Sequence, residues 1–213
     1  MADLKLLYDA ILTGKHKIAA EITQVAIEEK LEPKGLIDNY LIKAMEEIGD
    51  RFEKQQAFVP ELLMAGRAMK ASLSLLQPLL KGDEATSQLG TIVIGTVKGD
   101  LHDIGKNLVG SMFEGCGFQV VDLGVDADSD KFVTAVKEHG ANLVGLSALL
   151  TTTMPYMKTI IEALKAAGLR DKVKVMVGGA PVSSSFAEEI GADGYSDSAN
   201  SAVIKAKELL GVA

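Results

Sequence analysis

The sequence predicts an α/β protein in two parts: a bundle of four short helices, then a doubly wound sheet of five parallel strands. Three observations carry this. From Asp3 to about Leu80 apolar residues recur at helical spacing, and no run reads as a strand. From about Gly90 onward, short and nearly continuous apolar runs alternate with amphipathic stretches, the pattern of parallel strands covered on both faces by helices. Between the two, Pro78 to Leu89 loses hydrophobicity through Lys81-Gly82-Asp83-Glu84 and Thr86-Ser87-Gln88, and reads as a linker. The expected division is a helical domain over 1–80, a linker over 81–89 and a sheet domain over 90–213.

In the helical part, Leu4, Leu7, Ile11 and Leu12 form a first apolar stripe that ends near Gly14, and Ile18, Ile22, Val25 and Ile27 form a second. Pro33 suits the first turn of a third helix, with Ile37, Leu41, Met45 and Ile48 on its inner face and an end by Phe52 to Lys54. A fourth helix starts at Pro60 and places Leu62, Leu63, Met64, Met69, Leu73 and Leu76 inside. Four short antiparallel helices are the simplest bundle that buries these stripes. In the loop from Phe52 to Pro60, Phe52 and Phe58 read as staples that pin helix ends to the core.

In the second part, the strand from Thr91 to Thr96 precedes a helix from Asp103 to Gly115. Phe118 to Leu123 is followed by a helix over Asp130 to Glu138, Leu143 to Ser147 by Pro155 to Ala167, and Val173 to Val177 by Ser183 to Ile190. A short strand near Gly194-Tyr195 and a helix over Ala199 to Leu210 complete the series.

With 213 residues and 47% hydrophobic content, the chain can bury substantial cores. No stretch approaches the roughly eighteen apolar residues of a membrane span, and Met1-Ala2-Asp3-Leu4-Lys5 lacks the order of a secretion signal. A cytoplasmic protein without a membrane partner is expected. A net charge of -7 without a basic cluster disfavours a nucleic-acid partner. Cys116 reads as a packing residue, and His16 and His139 as surface or helix-end residues.

The chemistry concentrates where strand loops share one edge of the sheet. The segment from Gly95 to Asn107 carries His102 with Asp100 two residues before it, as in a ligating imidazole whose other nitrogen is held by a carboxylate. The same residues also fit a plain helix start capped by Asp103. A phosphate loop fits worse, because five residues separate Gly99 from Gly105 and Asn107 stands where Ser or Thr is needed. Later loops add Gly124-Val125-Asp126, the hydroxyl-bearing stretch Ser147 to Thr153, Gly178-Gly179-Ala180-Pro181 and Tyr195-Ser196-Asp197, which together form a slot for a flat or bulky ligand.

The combined spacing is far more specific than its parts. Asp100-x-His102-x-x-Gly105, then 41 residues, Ser147-x-Leu149, then 28 residues, Gly178-Gly179, resembles the signature of the cobalamin-binding domain of methionine synthase and related corrinoid proteins. Gly95 to Asp100 and Phe58-Val59-Pro60-Glu61 resemble the same family, and the similarity spans nearly the whole chain. It is greatest to the free-standing corrinoid proteins of anaerobic methyltransferase systems.

The resemblance implies a flavodoxin-like domain that binds cobalamin or a related corrinoid, its dimethylbenzimidazole displaced from cobalt and buried in the protein. It implies His102 as the lower axial ligand of cobalt, with Asp100 and then Thr153 behind it, Thr153 standing where methionine synthase has serine. Gly99, Asp103, Ile104 and Gly105, in the same loop, would bind the cofactor. Ser147, Leu149, Thr151, Gly178, Gly179, Ala180 and Tyr195 would line the cofactor pocket, and Phe52, Val59 and Leu62 would cap the methyl-bearing face.

The implied function is that of a methyl carrier, not catalytic alone. It would accept a methyl group on cob(I)alamin from a substrate-specific methyltransferase and present methyl-cob(III)alamin to a second one, acting on tetrahydrofolate or a thiol such as coenzyme M. A reductive activation protein is a further implied partner. The alternatives are the small subunit of an adenosylcobalamin mutase, against which the helical residues 1–80 count, and a cobalamin-dependent sensor, which would normally need an appended signalling domain.

Overall fold

Residues 1–80 and 89–212 are described by a computed structural model, and they fall into two units. One holds residues up to 89 together with 111–118, the other 90–110 with 119 onward. Apart from Leu89, the expected linker lies outside the described residues. No described helix is long and apolar enough to cross a membrane.

Helix α1 (Leu4–Leu12) begins at Asp3, whose carboxylate accepts the Leu6 N–H at 2.9 Å. After α2 (His16–Glu28) the third helix starts at Pro33 as expected. It is a continuous rod: α3 (Pro33–Leu36) passes through one wider π turn, Ile37–Leu41, into α4 (Ile42–Glu53). Helix α5 (Val59–Leu76) starts one residue before Pro60, where Glu61 reaches back to accept the Phe58 N–H at 2.7 Å. Leu7, Ile11, Leu41, Met45, Met69 and Leu76 are fully buried.

Two inner faces differ from expectation. Ile18 and Val25 are exposed, and α2 instead buries Ala19, Thr23 and Ala26. It packs on α5, which buries Ala65, Ala68 and Ser72, and the Thr23 and Ser72 hydroxyls meet at 3.0 Å. Small side chains let two helices approach closely, so here the less apolar face wins. Leu63 and Met64, expected inside, are also exposed. Phe58 is 68% exposed rather than a staple, because its extended backbone (φ -118°, ψ 167°) caps α5.

The sheet consists of β1 (Thr91–Thr96), β2 (Gln119–Asp122), β3 (Leu143–Ser147), β4 (Lys174–Gly178) and β5 (Gly194–Tyr195), all parallel, in the order β2-β1-β3-β4-β5. Between them run α6 (Ile104–Gly115), α7 (Ser129–His139), α8 (Pro155–Ala166), α9 (Ser184–Ile190) and α10 (Ala199–Leu210). Cys116 is buried.

Strand alternation sorts the two faces. Val93, Val144, Leu146, Val175 and Val177 share one core with Phe132 of α7, Met157 and Ile160 of α8 and Ile190 of α9. The opposite face carries Met176 and Gly194; a Cβ on Gly194 would lie 3.2 Å from side-chain atoms of Leu209 and Lys205, so α10 covers that face. At its carboxyl end Thr96, Ser147 and Gly178 stand side by side in register. The chain turns one way from β1 to β2 and the other way from β3 to β4. The carboxyl ends of β1 and β3 therefore flank the switch point at which sheets of this order bind ligands.

Candidate functional site

The loops after β1 and β3 meet at that switch point through Asp100. Its carboxylate is fully buried. Oδ1 lies 2.7 Å from His102 Nδ1 and also accepts the His102 backbone N–H at 3.1 Å. Oδ2 accepts the N–H groups of Leu149 (2.8 Å) and Leu150 (3.2 Å) and the Thr153 hydroxyl (2.8 Å). Burial alone raises the pKa of this carboxyl, but the hydrogen bonds from Leu149, His102 and Thr153 outweigh it and hold Asp100 well below the usual carboxylate range. It is therefore ionised and only accepts.

That fixes the imidazole. With a carboxylate on Nδ1, the proton of neutral His102 belongs on Nδ1, an assignment from the hydrogen-bond network, and Nε2 keeps its lone pair. The His102 side chain is 52% exposed, so the ring stands at the rim of the site while its partner lies beneath. Thr153 Oγ1 is also 2.9 Å from the Leu150 carbonyl. With one proton to give, the hydroxyl favours the charged acceptor, Asp100.

A second set of contacts holds the loop. The Thr96 hydroxyl donates to the His102 carbonyl at 2.7 Å. The Gly99 N–H donates to Asp126 Oδ1 at 2.7 Å, while the Asp126 N–H donates to the Asp100 carbonyl at 3.0 Å. Asp126 adopts a φ of +52°, a strained backbone for a residue other than glycine, as the reciprocal bonds require. At the start of α6 the Lys106 ammonium is buried and bonds both Asp122 oxygens (2.7 and 2.6 Å) and Asn107 Oδ1 (2.6 Å). Sequence reasoning missed Lys106, Asp122 and the role of Asp126. A lysine beside a glycine reads as exposed, and only the oddity of an aspartate in a tight loop gave a signal.

The other expected residues are distributed unevenly. Leu101 and Ile104, on either side of His102, are 72% and 86% exposed, and Leu149 and Leu150 are exposed too, which leaves apolar surface around the imidazole. Gly105 has no atom within 4 Å of an added Cβ. Asp103 accepts from Asn107 at 3.1 Å through its side chain, and Thr151 and Ala180 are exposed. Gly179, at φ +123°, is required by geometry: a Cβ there would lie 1.9 Å from the Ala148 carbonyl oxygen. Tyr195 packs against the core of α7, α8 and α9, on the other side of the sheet from Ser147 and Gly178. In the helical unit Val59 is 40% exposed, Phe52 is half-buried and Leu62 is buried.

Among the described residues no three His, Cys, Asp or Glu side chains form a metal cluster. At the switch point the site offers one imidazole, that of His102. Residues 90–204 match the B12 binding domain family, and residues 4–77 match a second family of the same description.

The chain belongs to the B12-binding corrinoid proteins. It is 46% identical over 207 residues to the dimethylamine corrinoid protein of Methanosarcina barkeri, covering 97% of each chain. With a corrinoid protein of Desulfitobacterium hafniense it shares 44% identity over 213 residues and 99% of each chain. Among solved structures, a cobalamin-binding protein of the same genus and species matches with a TM-score of 0.80 at 33% identity, covering 98% of both chains. The methanol:cobalamin methyltransferase complex of Methanosarcina barkeri matches with a TM-score of 0.83 at 28% identity, covering 99% of this chain and 80% of the other.

The cofactor of this corrinoid protein is cobalamin or a related corrinoid, with its cobalt. The residues fit that group. His102 stands half exposed with its Nδ1 against Asp100, exposed leucine and isoleucine side chains flank it, and a buried amide nitrogen on α10, that of Asn200, lacks a protein partner among the described residues.

Proposed function

We propose that this corrinoid protein is a methyl carrier in which His102 Nε2 would hold the cobalt. The observation that carries the reading is the chain of contacts from His102 Nδ1 through Asp100 to Thr153, at 2.7 and 2.8 Å. When bound, the corrinoid supplies a nucleophilic metal that takes up a methyl group and gives it away. The protein's part is to set the imidazole's basicity and aim. Asp100 accepts the Nδ1 proton and raises the donor strength of Nε2, while Thr153 and the amides of Leu149 and Leu150 hold Asp100 in place. Asp100, 2.7 Å from Nδ1, would also offset positive charge on the ring.

In this reading the helical domain, residues 1–80, is a cap whose Phe52, Val59 and Leu62 would exclude water from the methyl-bearing face. In the same reading 81–89 is the linker and 90–213 the cofactor domain. Ser147, Gly178 and Gly179 lie along the pocket of the displaced nucleotide. The partners are a substrate-specific methyltransferase, a second methyltransferase acting on tetrahydrofolate or a thiol such as coenzyme M, and a reductive activation protein, all in the cytoplasm. Relatives named for dimethylamine and a structural match titled for methanol support small methylated donors.

The test is spectroscopic. Protein labelled with nitrogen-15 histidine, loaded with cobalamin and reduced to the cob(II) state, is expected to show a two-line superhyperfine splitting that His102→Ala abolishes. A three-line pattern from unlabelled benzimidazole would refute His102 as the ligand.

A further inference from the structure

Asn200 is 5% exposed, and its Nδ2 finds no hydrogen-bond partner among the described residues. Such a nitrogen is costly to bury, and native proteins keep few without a reason. Helix capping does not account for it. The end of α10 is closed by its neighbours: the Ser201 N–H donates to Ser198 Oγ at 3.1 Å and the Ser198 N–H to Ser201 Oγ at 3.2 Å. Asn200, between them, is left over.

Its place in the fold suggests what it serves. Helix α10 covers the sheet face whose carboxyl end bears Thr96, Ser147 and Gly178 in one row. The segment leading into α10 touches that row, since the Ser196 carbonyl oxygen lies 3.1 Å from where a Gly178 Cβ would stand. Asn200 is in the first turn beyond it. His102, by contrast, stands half exposed at the rim. A broad macrocycle held at His102 stays at the rim, and only a narrow appendage reaches a buried position at the edge of the sheet.

We infer that Asn200 Nδ2 donates a hydrogen bond to an acceptor on the nucleotide appendage of the corrinoid, and so helps select ligands that carry one. This rests on the proposed nucleotide pocket beside Ser147 and Gly178. The acceptor is a ring nitrogen of the lower base or an oxygen of the ribose phosphate.

The experiment titrates the full-length apoprotein with aquocobalamin and with cobinamide, which has the same ring but no nucleotide, following binding by absorbance. Asn200→Ala is expected to weaken cobalamin binding about 5- to 20-fold, the worth of one buried hydrogen bond, and to leave cobinamide binding unchanged. Asn200→Asp, which replaces the donor by an acceptor, is expected to weaken cobalamin more. Thermal unfolding of each apo variant verifies that it folds. Loss of affinity for both ligands alike, or for neither, would overturn the assignment. Equal affinity of the wild type for the two ligands would instead refute the nucleotide pocket, and a wild-type preference for cobalamin that both variants keep undiminished would refute Asn200 alone. A corrinoid with a phenolic lower base separates the acceptors: an undiminished effect of Asn200→Ala assigns the ribose phosphate, and a vanished one the ring nitrogen.

Discussion

Thr153 donates its hydroxyl to Asp100 at 2.8 Å, a contact that spans 53 residues of chain and ties the loop after β3 to the loop after β1. The same oxygen of Asp100 receives the amides of Leu149 and Leu150, so three donors from one loop converge on a carboxylate from another. The histidine is aimed from behind, by groups it does not touch.

Removing that hydroxyl tests the arrangement. Thr153→Ala is expected to lower apoprotein stability by about 1.5–3 kcal/mol, the net value of a hydrogen bond to a charged group. Thr153→Ser, which retains the donor, is expected to stay within about 0.5 kcal/mol of wild type. Urea unfolding measures both, and a serine variant as weak as the alanine one would point to the lost methyl group instead.

The ion pair of Lys106 and Asp122 is lopsided: the lysine side chain is 1% exposed and the aspartate 45%. Truncating the aspartate strands a buried ammonium, so Asp122→Ala is expected to cost about 3–5 kcal/mol. Lys106→Met leaves a carboxylate that water can reach and fills the space with apolar atoms, and is expected to cost about 2 kcal/mol or less. The order of the two unfolding midpoints decides; equal losses would contradict it.

Two glycines with positive φ separate strain from collision. Gly124, at +74°, has no neighbour near an added Cβ, whereas Gly179, at +123°, would place one 1.9 Å from a carbonyl oxygen. Gly124→Ala is expected to cost about 1 kcal/mol and Gly179→Ala about 3 kcal/mol or more. Thermal melts followed by circular dichroism would show the gap, and similar melting temperatures would mean the loop after β3 yields easily.

In the helical unit the Tyr8 phenol donates to Glu47, which also receives Arg51. Burial and the hydrogen bond to Glu47 push the phenol from 10.0 up to about 12. A folded-state pKa above the unfolded one means stability that is intact below pH 10 and lost as pH rises toward 12. Tyr8 should therefore give a late step in an ultraviolet titration, and Tyr8→Phe should remove both that step and its share of the alkaline loss of stability. A late step that persists in Tyr8→Phe would rule out the assignment.

Strands were legible because β-branched runs admit little else, and β1 and β3 begin and end where the sequence places them. The core of the site, His102 with Asp100 and Thr153, was legible by resemblance, and its contacts give it a physical basis. What escaped was geometry that hydropathy does not encode. The π turn at Ile37–Leu41 keeps the apolar pattern of an ordinary helix. Helix α2 buries alanine and threonine because closeness to α5 outweighs side-chain size. Lys106 is buried because a single well-placed carboxylate outweighs the tendency of lysine toward water.

The approach of Gly179 to Ala148 has a meaning for anyone redesigning this protein. Ala148 precedes Leu149, whose amide holds Asp100, which in turn orients His102. Position 179 belongs to the chassis: a side chain there would push on Ala148 and so misalign the imidazole, and a screen scored only on binding would record the damage as altered taste.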